Sequence, residues 1–335
     1  MKKIIHKKYI SHRNLPINLI PEDSWLFKSE YKKLIQNSYL LFCKNLYVKN
    51  LEIYKFKNFQ KHYKHTKMNN YIFLKKLKIF LKELFSKNNS KKISILDKGM
   101  WILDEKSFHY FHWFCDTLPR FIQARDFNNE YPLIIPDNLV QKDYIKFCLD
   151  FFKIKFITYN QKEVLKIKKL LISSHVSNSG NYQKENIQFI SRLLKGDEVQ
   201  NQKKERIWIS RLHSKHRKIQ NEDSLLGILE KYNFKIVYPE KLDFFEQVQI
   251  YYNAEIIAGL HGGGLTNIIF MNPSSKVLEI RRKNDATNNC YFSLASDLDI
   301  DYYYLQCKSL GNDLYVSDAF VDPDQLEKAI MCLIK

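Results

Sequence analysis

The sequence has 335 residues, 45% of them hydrophobic and 14% aromatic, with a formal net charge of +18. This hydrophobic content is typical of a packed globular protein, so it excludes a largely disordered chain, and the length is sufficient for two domains. The charge would suit a protein that binds nucleic acid or a membrane surface. Lysine supplies most of it, however, and Asn and Ile are also abundant, a composition that an AT-rich coding sequence also produces. Nucleic acid is therefore not expected as a partner.

Cysteine usage and the lack of targeting segments point to the cytoplasm. The six cysteines stand singly, without a CxxC pair. A disulfide framework or a zinc ribbon needs patterned spacing, so reduced core thiols are the better interpretation. The basic N-terminus lacks the apolar stretch of a signal peptide, and no uncharged apolar run is long enough to span a bilayer. We expect a cytoplasmic protein, soluble or peripheral at the inner face of the membrane.

Residues 1–90 are basic and rich in aromatic residues, and we predict that they are helical. Residues 30–54 and 71–85 mix Lys with Leu, Ile, Phe and Tyr at roughly helical spacing. Such helices could contact an anionic membrane through their lysines and aromatic rings; the alternative is ordinary amphipathic surface helices. Short strands are predicted at 94–96 and 101–103, around Gly99.

The segment Ser107–Phe121 is predicted to be a helix with titratable groups on one face. His109, His112 and Asp116 follow i, i+3, i+7 spacing. A carboxylate beside an imidazole could act as a general base or form an oriented His–Asp pair. Two of these residues could also be zinc ligands, although the third ligand of a catalytic zinc site is not evident nearby. The alternative is a buried structural helix whose His and Asp satisfy backbone groups.

Short apolar strands then alternate with helices. Strands are predicted at 132–136, 156–157 and 170–172, and helices at 141–152 and 185–194. This alternation favours a parallel α/β sheet. The most polar stretch of the chain, KGDEVQNQKKE at 195–205, is the predicted interdomain linker, so residues 1–200 are expected to form an N-terminal α/β domain.

A second α/β domain is predicted at residues 201–320, followed by a C-terminal helix at 321–335. Its elements are expected in the order strand, helix, strand, helix, strand, glycine turn, helix, strand, which fits a Rossmann-like half. Ligands of such sheets bind at the carboxyl ends of the strands, so Arg211, His261 and Glu279 should converge on one crevice. Arg211 and Arg217 follow a strand end and suit a diphosphate; the alternative is solvated loop charge.

The glycine turn is the most distinctive feature of this domain. Four of the nine glycines, Gly259, Gly262, Gly263 and Gly264, lie within six positions. A chain that uses so little glycine elsewhere needs backbone freedom or close approach of a ligand here. The N-terminus of the helix that follows offers free N–H groups and a positive dipole end to an anion. The alternative is a tight packing turn, since a glycine turn alone is a weak motif.

Two separate motifs resemble glycosyltransferase family 61. Residues 261–280, HGGGLTNIIFMNPSSKVLEI, are similar to that family's HGAGLTN signature with its helix, proline and V-L-E strand. Residues 210–222 match its strand-end Ser-Arg, its later Arg and its Asn-Glu, and residues 112–120 (HWFCDTLPR) match its H-W-x-x-D-x-L-P-R element. Gly263 stands where alanine is usual, which would keep the turn, and His109 is not a shared position. The likeness covers roughly residues 95–330.

The resemblance implies an inverting transferase with a GT-B-like α/β fold, in which two Rossmann-like domains with parallel sheets face each other across a cleft. It implies a nucleotide-sugar donor, with a UDP-sugar expected, and a glycan or lipid-linked glycan acceptor, as in capsule or lipopolysaccharide synthesis. Neither a cofactor nor a metal is then required. Contact with an anionic membrane would be peripheral.

The resemblance also implies roles for individual residues. The donor diphosphate would rest on the turn amides, the helix dipole and Arg211. The implied donor site comprises Arg211, Arg217, His261, Gly262, Gly263, Gly264, Leu265, Thr266, Asn267 and Glu279. Glu279 would accept hydrogen bonds from the donor ribose. Asp116, or else His112, would take the proton from the acceptor hydroxyl, and His261 would touch the phosphate or serve as the base.

Two rival hypotheses stay open at this point. Asp299-Ile300-Asp301 has the D-x-D form with which metal-dependent GT-A enzymes hold manganese. The second rival is a basic α/β protein without catalytic activity that binds RNA or a membrane surface, as the charge alone would suggest.

Overall fold

The structure is a computed structural model that describes residues 1–54, 76–81, 93–195, 204–313 and 316–335. The chain divides into two compact units. The first unit comprises residues 1–8 and 36–179, and the second comprises residues 9–35 and 180–335. The division therefore falls between Ser179 and Gly180, whereas the sequence predicted a boundary at residue 200. Most of the predicted linker lies outside the described residues.

The strands are numbered in chain order. They are β1 (Lys2–His6), β2 (Tyr9–His12), β3 (Lys32–Ile35), β4 (Ser38–Lys49), β5 (Glu52–Tyr54), β6 (Ile93–Trp101), β7 (Leu133–Pro136), β8 (Phe156–Tyr159), β9 (Val164–Ser173), β10 (Glu205–Ile209), β11 (Phe234–Val237), β12 (Ala254–Leu260), β13 (Lys276–Arg282), β14 (Asp301–Ser309) and β15 (Ala319–Phe320).

The α-helices with defined ends are numbered likewise. They are α1 (Tyr110–His112), α2 (Leu118–Ile122), α3 (Asp137–Val140), α4 (Asp143–Phe151), α5 (Lys184–Lys195), α6 (Leu226–Lys231), α7 (Phe244–Tyr252), α8 (Cys290–Asp297) and α9 (Pro323–Leu333). Residues 76–81 are also helical. Tight 3₁₀-helices lie at Pro21–Leu26, Arg125–Phe127, Glu222–Leu225, Pro239–Lys241 and Gly263–Phe270, and a π-turn lies at Trp113–Thr117.

The first unit contains a mixed sheet. Its described strands follow the order β1-β4-β9-β6-β7-β8, with β5 paired to β4. The strands β9, β6, β7 and β8 run parallel, whereas β4 is antiparallel to β1, β5 and β9. The α/β class is thus confirmed, but the expected all-parallel sheet is wrong for this unit, because the N-terminal strands add an antiparallel half.

The helical prediction for residues 30–54 is wrong. This segment forms β3, β4 and β5. Along β4, Ser38, Leu40, Leu46 and Val48 are buried, which is the period of two that places alternate side chains on one face of a sheet. Aromatic and β-branched residues favour this state, and long-range pairing with β9 stabilises it. Of the second predicted helix, residues 76–81 are helical and the remainder lies outside the described residues.

A single strand replaces the two short strands predicted around Gly99. Strand β6 runs through this glycine from Ile93 to Trp101. A side chain at Gly99 would collide with Ile134 of the neighbouring β7, so glycine is required here for packing rather than for a turn.

The second unit has a doubly wound parallel sheet. The order is β11-β10-β12-β13-β14, all parallel, and β15 pairs antiparallel with β14. Counted from β10, this is the order 2-1-3-4-5, in which the chain reverses its direction of winding between β10 and β12. The carboxyl ends of those two strands therefore form the switch point at which such sheets bind ligands.

The core of the second unit explains why these segments are strands. The sequence of β12, AEIIAGL, is almost continuously apolar, as expected for a parallel strand with both faces covered. On one side Trp208, Leu278 and Ile330 belong to a single buried apolar cluster. None of the helices in the described part of the chain combines the length and the apolar character that a bilayer crossing requires.

Candidate functional site

The switch point of the second unit carries the predicted glycine turn and the predicted arginine. Arg211 follows the carboxyl end of β10, and residues 261–264 follow that of the adjacent strand β12. Because both strands end at the same edge of the sheet, the turn and the arginine meet, as the sequence predicted.

Arg211 lies directly on the glycine turn. A Cβ atom at Gly262 would lie 2.5 Å from Nη1 of Arg211, so the guanidinium occupies the space that any other side chain would need. At Gly264 a Cβ would lie 2.9 Å from Cγ2 of Ile209, whereas Gly263 has open space around it. A Cβ at Gly262 or Gly264 would therefore force a neighbouring side chain to shift, whereas Gly263 faces open space.

Two backbone carbonyls of the following loop hold the Arg211 guanidinium. Its Nε donates to the carbonyl oxygen of Arg217 at 2.7 Å and its Nη2 to that of His216 at 3.0 Å. Burial lowers the pKa of Arg211, although a guanidinium remains charged at any physiological pH. These two bonds orient Nη1 toward the turn.

Arg217 contributes to this arrangement through its backbone. It has φ of 59°, in the left-handed region, which costs a non-glycine residue about 1 kcal/mol or more. Its side-chain Nε is buried without a hydrogen-bond partner among the described residues. The observed role of Arg217 is that its backbone carbonyl fixes Arg211. The contact of its guanidinium with a ligand stays a prediction.

The Asn-Glu motif residues hold the end of β10. Glu222 is buried, and its two carboxylate oxygens accept hydrogen bonds from Trp208 Nε1 and Ser210 Oγ, each at 2.7 Å. Asn221 donates to the Val321 carbonyl at 2.7 Å and accepts from its N–H at 3.0 Å. The motif therefore positions the backbone beside Arg211.

The helix after the turn begins with free amides. It is a 3₁₀-helix from Gly263 to Phe270, and no side chain caps it. The N–H groups of its first residues have no carbonyl to bind within the helix, and the helix dipole adds partial positive charge at this end. The side chains of Leu265, Thr266 and Asn267 are buried, so their predicted contact with a ligand is limited to backbone groups.

His261 is oriented by a buried carboxylate. Its Nδ1 forms a hydrogen bond with Oε1 of Glu279, whose side chain is fully buried. The hydroxyl of Tyr302 donates to the other carboxylate oxygen at 2.6 Å. Both oxygens of Glu279 are therefore engaged within the protein, which does not support the predicted contact with a donor ribose. Glu279 instead fixes the imidazole so that Nε2 is the nitrogen left to meet a ligand.

A buried network extends from Glu279 to the N-terminal segment. Arg281 donates to the Asn289 side-chain oxygen at 2.9 Å and lies 3.4 Å from the Tyr302 hydroxyl. Asn289 in turn donates to the carbonyl of Leu26 at 2.8 Å. Burial alone would raise the pKa of Glu279, but His261, Arg281 and Tyr302 together lower it below its ordinary value. The carboxylate is therefore kept ionised, as an anchor for Nδ1 must be.

The first unit contains the predicted His–Asp pair. Nδ1 of His112 lies 2.6 Å from Oδ2 of Asp116, and the hydroxyl of Ser179 donates to the same oxygen at 3.0 Å. The side chain of Asp116 is 5% exposed and that of His112 is 18% exposed. Asp116 lies in the π-turn, a local widening of the helix that is frequent at functional sites. The carboxylate is thus placed to orient the imidazole.

His109 lies outside the helix, although its ring centroid is 6.0 Å from that of His112. It is the residue before α1 and has extended backbone angles, φ −91° and ψ 140°. The predicted continuous helix across Ser107–Phe121 is therefore wrong at its start. The zinc alternative gains no support, because no group of three or more His, Cys, Asp or Glu side chains suited to a metal ion occurs within the described ranges.

The D-x-D segment lies at the wrong end of the sheet for the turn. Asp301 begins β14, so it stands at the amino edge of the parallel strands, opposite the edge that carries residues 261–264. The carboxylate of Asp299 accepts hydrogen bonds from Lys184 Nζ and Gln188 Nε2, each at 2.9 Å. Neither position favours a metal that holds a ligand at the switch point.

Sequence reasoning missed three residues that support these groups. Tyr302 and Ser179 complete the hydrogen bonding of Glu279 and Asp116, and the ring of Tyr291 lies 5.1 Å from that of His261. No local pattern marks them, because each is distant in sequence from the group that it contacts. No disulfide joins any of the six cysteines, all of which lie in the described ranges, and Cys332 is exposed rather than in the core.

Comparison with known families identifies one match. The sequence model of the family described as Glycosyltransferase 61 matches residues 110–278, which is half of the chain. The matched range includes His112, Asp116, Arg211 and the glycine turn.

The chain is similar to curated relatives that carry one protein name in several animals. The EGF domain-specific O-linked N-acetylglucosamine transferase of Drosophila melanogaster is 38% identical over 97 residues, 28% of this chain and 18% of that protein. The Mus musculus protein of the same name is 25% identical over 229 residues, 59% of this chain and 43% of that protein. The Xenopus laevis protein is 33% identical over 134 residues, 38% and 25% of the two chains. The matches span less than half the length of each relative.

Proposed function

We propose, from the premise that the chain belongs to the Glycosyltransferase 61 family, that it transfers a sugar from a nucleotide-sugar donor to a hydroxyl group of an acceptor. In this proposal the second unit binds the donor and the first unit contributes the group that takes the proton. The GT-B arrangement of the two units and inversion at the transferred carbon are parts of the same proposal.

One observation carries the donor assignment. The Arg211 guanidinium, fixed by two backbone carbonyls, lies on Gly262 at the open N-terminus of a helix and at the switch point of a parallel sheet. Guanidinium and amide N–H groups are the donors that phosphate oxygens prefer, and a prearranged set of them stabilises a leaving diphosphate as its charge grows. This chemistry supports metal-independent departure of a nucleoside diphosphate, with UDP as the first candidate.

His261 is proposed as a second group on the diphosphate. Its Nδ1 is engaged by Glu279, so Nε2 is the nitrogen that can meet a phosphate oxygen. The same geometry would also serve a base. Contact with the phosphate is favoured because the ring follows β12 directly, beside the turn amides.

The His112–Asp116 pair is the proposed proton acceptor. The sequence suggested Asp116 as the base, but His112 is the more exposed of the two, and the buried carboxylate of Asp116 orients its ring through Nδ1. We therefore assign the proton to the pair, with His112 in contact with the acceptor hydroxyl. Asp116→Asn should retain nucleotide binding and lose transfer by about a hundredfold or more. Transfer near the wild-type rate would remove the pair from the mechanism.

The transferred sugar and the acceptor follow from the relatives only as candidates. Those relatives are named as transferases of N-acetylglucosamine to EGF domains, so UDP-N-acetylglucosamine is the first donor to test. Two acceptors should be compared, namely a folded EGF domain and the surface polysaccharide, capsule or lipopolysaccharide, that the motif resemblance implies. Product analysis by mass spectrometry would identify the acceptor class.

The proposed function is tested by nucleotide binding. UDP, GDP and CMP should be compared by thermal shift with and without EDTA; we expect saturable stabilisation by one of them that EDTA does not reduce. Arg211→Ala should abolish the shift. Arg206→Ala is the matched control, because Arg206 lies on the same strand but pairs with Glu255. Equal stabilisation by any polyanion, with steep salt dependence, would instead support the basic binding protein without catalytic activity.

A further inference from the structure

A polar loop, defined as residues 173–179, begins at the last residue of β9 in the first unit and is held by several hydrogen bonds. Nε and Nη2 of Arg120 donate to the carbonyl of Ser173 at 3.1 and 2.9 Å, and the Ser173 hydroxyl donates to the Arg120 carbonyl at 2.7 Å. Gln123 Nε2 donates to the carbonyl of Ser174 at 2.7 Å. Arg120 is fully buried, so the cost of removing its charge from water is offset by these contacts.

The next residue of the polar loop is fixed by a second buried charge. Nε2 of His175 lies 3.0 Å from Oδ2 of Asp104, and Nη1 of Arg120 lies 3.4 Å from the same oxygen. Burial alone would raise the pKa of the Asp104 carboxyl, but the hydrogen bond from His175 and the charge of Arg120 hold it well below its usual range. The ionised carboxylate thus holds the imidazole in one orientation.

The outer side of the polar loop faces a cavity of about 310 Å³. This volume is at the lower end of the roughly 300 to 1,000 Å³ of small-molecule sites. His175, Ser177 and Asn178 line one side, and Lys2 and Tyr39 line another. Nζ of Lys2 lies 3.8 Å from the centre of the Tyr39 ring, so the ammonium group is part of the cavity wall.

The lining has the chemistry of a carbohydrate site. The hydroxyl and amide groups of the lining can exchange hydrogen bonds with sugar hydroxyls. The charge is one-sided, because Lys2 faces the cavity while no Asp or Glu lines it among the described residues. A sugar ring that carries a carboxylate satisfies this set better than a neutral ring.

The same polar loop leads to the proposed proton acceptor. At its far end Ser179 donates to Asp116, while His175 and Ser177 line the cavity a few residues earlier. The cavity and the His112–Asp116 pair are thus both in contact with this one segment of the first unit.

We propose that this cavity is an acceptor subsite that binds a hexuronic-acid unit of a glycan, with Lys2 on its carboxylate. This inference rests on the proposed function, because an acceptor subsite presupposes sugar transfer. The binding of the glycan unit itself requires neither transfer nor a donor.

The test is a saturation-transfer NMR titration of the full chain, without nucleotide, with methyl β-D-glucuronide and methyl β-D-glucoside. We expect the glucuronide to bind more tightly. Lys2→Ala should weaken the glucuronide about threefold to fivefold, the range of a partly exposed ion pair, and leave the glucoside unchanged. Ser177→Trp, which fills the cavity, should abolish both. Lys168→Ala is the matched control, because Lys168 is an exposed lysine of β9 that pairs with Asp97 outside the cavity.

Four results would overturn the proposal: no binding of either glycoside, equal affinity for the two, equal weakening by Lys168→Ala, or unchanged binding in Ser177→Trp. A circular-dichroism melt of each variant separates lost binding from lost folding. Failure here leaves the nucleotide test at Arg211 unaffected, and failure of that test leaves the glycoside binding measurable, so the two proposals fail separately.

Discussion

The glycines of the turn differ in what surrounds them, and substitution by alanine should separate their roles. At Gly262 the new methyl group would displace the Arg211 guanidinium, since their separation would be 2.5 Å. Loss of charge-assisted hydrogen bonds to a diphosphate, about 1.5 to 3 kcal/mol, should weaken nucleotide binding roughly tenfold to a hundredfold. Isothermal titration of Gly262→Ala with the nucleotide found by thermal shift checks this.

The neighbouring glycine supplies the control for that experiment. A Cβ at Gly263 meets nothing within 4 Å, and its backbone needs no left-handed angle. Gly263→Ala should bind nucleotide as the wild type does, in line with the alanine that the motif usually carries there. Equal loss of affinity in both variants would indicate that the turn as a whole, rather than its contact with Arg211, determines binding.

Glu279 should make the stability of the protein depend on pH in acid. Its pKa is lowered in the folded protein from an ordinary value of about 4.5. A carboxyl with a depressed folded pKa contributes stability that is fully present above the unfolded value and is lost as the pH falls through the folded one. The free energy of unfolding should therefore decrease below about pH 4.5.

Urea titrations between pH 5 and pH 3 test this dependence on Glu279. Glu279→Gln should be less stable at pH 7, by about 1 to 3 kcal/mol, because a buried hydrogen-bond network is disturbed. Its stability should also change less between pH 5 and pH 3 than that of the wild type. Parallel pH curves for the two proteins would assign the acid sensitivity to other carboxylates.

Among the elements, the segment 9–35 is a structural part of the second unit. The buried Phe27 packs on Phe292, Tyr302 and Tyr304, and its ring lies 4.7 Å from the guanidinium carbon of Arg281. Phe27→Ala should destabilise the unit by about 3 to 5 kcal/mol, as for other buried aromatic residues.

Phe27→Ala should also disturb the site, because Arg281 and Tyr302 connect this segment to Glu279 and His261. Chemical denaturation gives the first effect and nucleotide titration at low temperature the second. Trp25→Ala, at a position that is 48% exposed, is the control and should change stability by less than about 0.5 kcal/mol. Similar losses in both variants would contradict the role of Phe27.

The elements also show which parts of the fold a sequence can reveal. Strand β12 with its glycine turn, helix α7 and strand β13 follow the predicted order, because continuous apolar runs and glycine spacing are local signals. The strands β3 to β5 were predicted as helix. The longest of them, β4, pairs with β9, and that pairing depends on residues more than a hundred positions away.

The same limit applies to the candidate site. Arg211, the turn and the His112–Asp116 pair were predicted from motifs. The role of Glu279 was not, because it depends on the burial of its carboxylate beneath Tyr302 and His261, which no spacing in the sequence encodes.

At the scale of the whole molecule, the second unit is built from two separated parts of the chain. Residues 9–35 belong with residues 180–335. Arg13 forms a buried ion pair with Asp297, and burial raises the pKa of that carboxyl to about 6. Breaking such a pair leaves one uncompensated charge in the interior, which typically costs several kcal/mol.

A chain that starts at residue 36 should therefore lose the nucleotide-induced thermal shift, because the second unit lacks both Arg13 and Phe27. A chain that starts at residue 9 lacks only β1, an edge strand of the first unit, and should retain the shift. Nucleotide binding by the shorter chain would show that residues 9–35 are dispensable for the donor unit.

The split construction of the second unit also sets an order of events during synthesis. Residues 9–35 leave the ribosome early, but β14, on which Phe27 packs, is made late. When β4 pairs with β9, a hydrogen bond joins Tyr39 and Ser174, which are 135 positions apart. Closing a loop of that length costs an entropy equivalent to about 4 kcal/mol. If the first unit folds during synthesis, this loop is already closed when the C-terminal half is made. Residues 9–35 then pack on that half after it has left the ribosome.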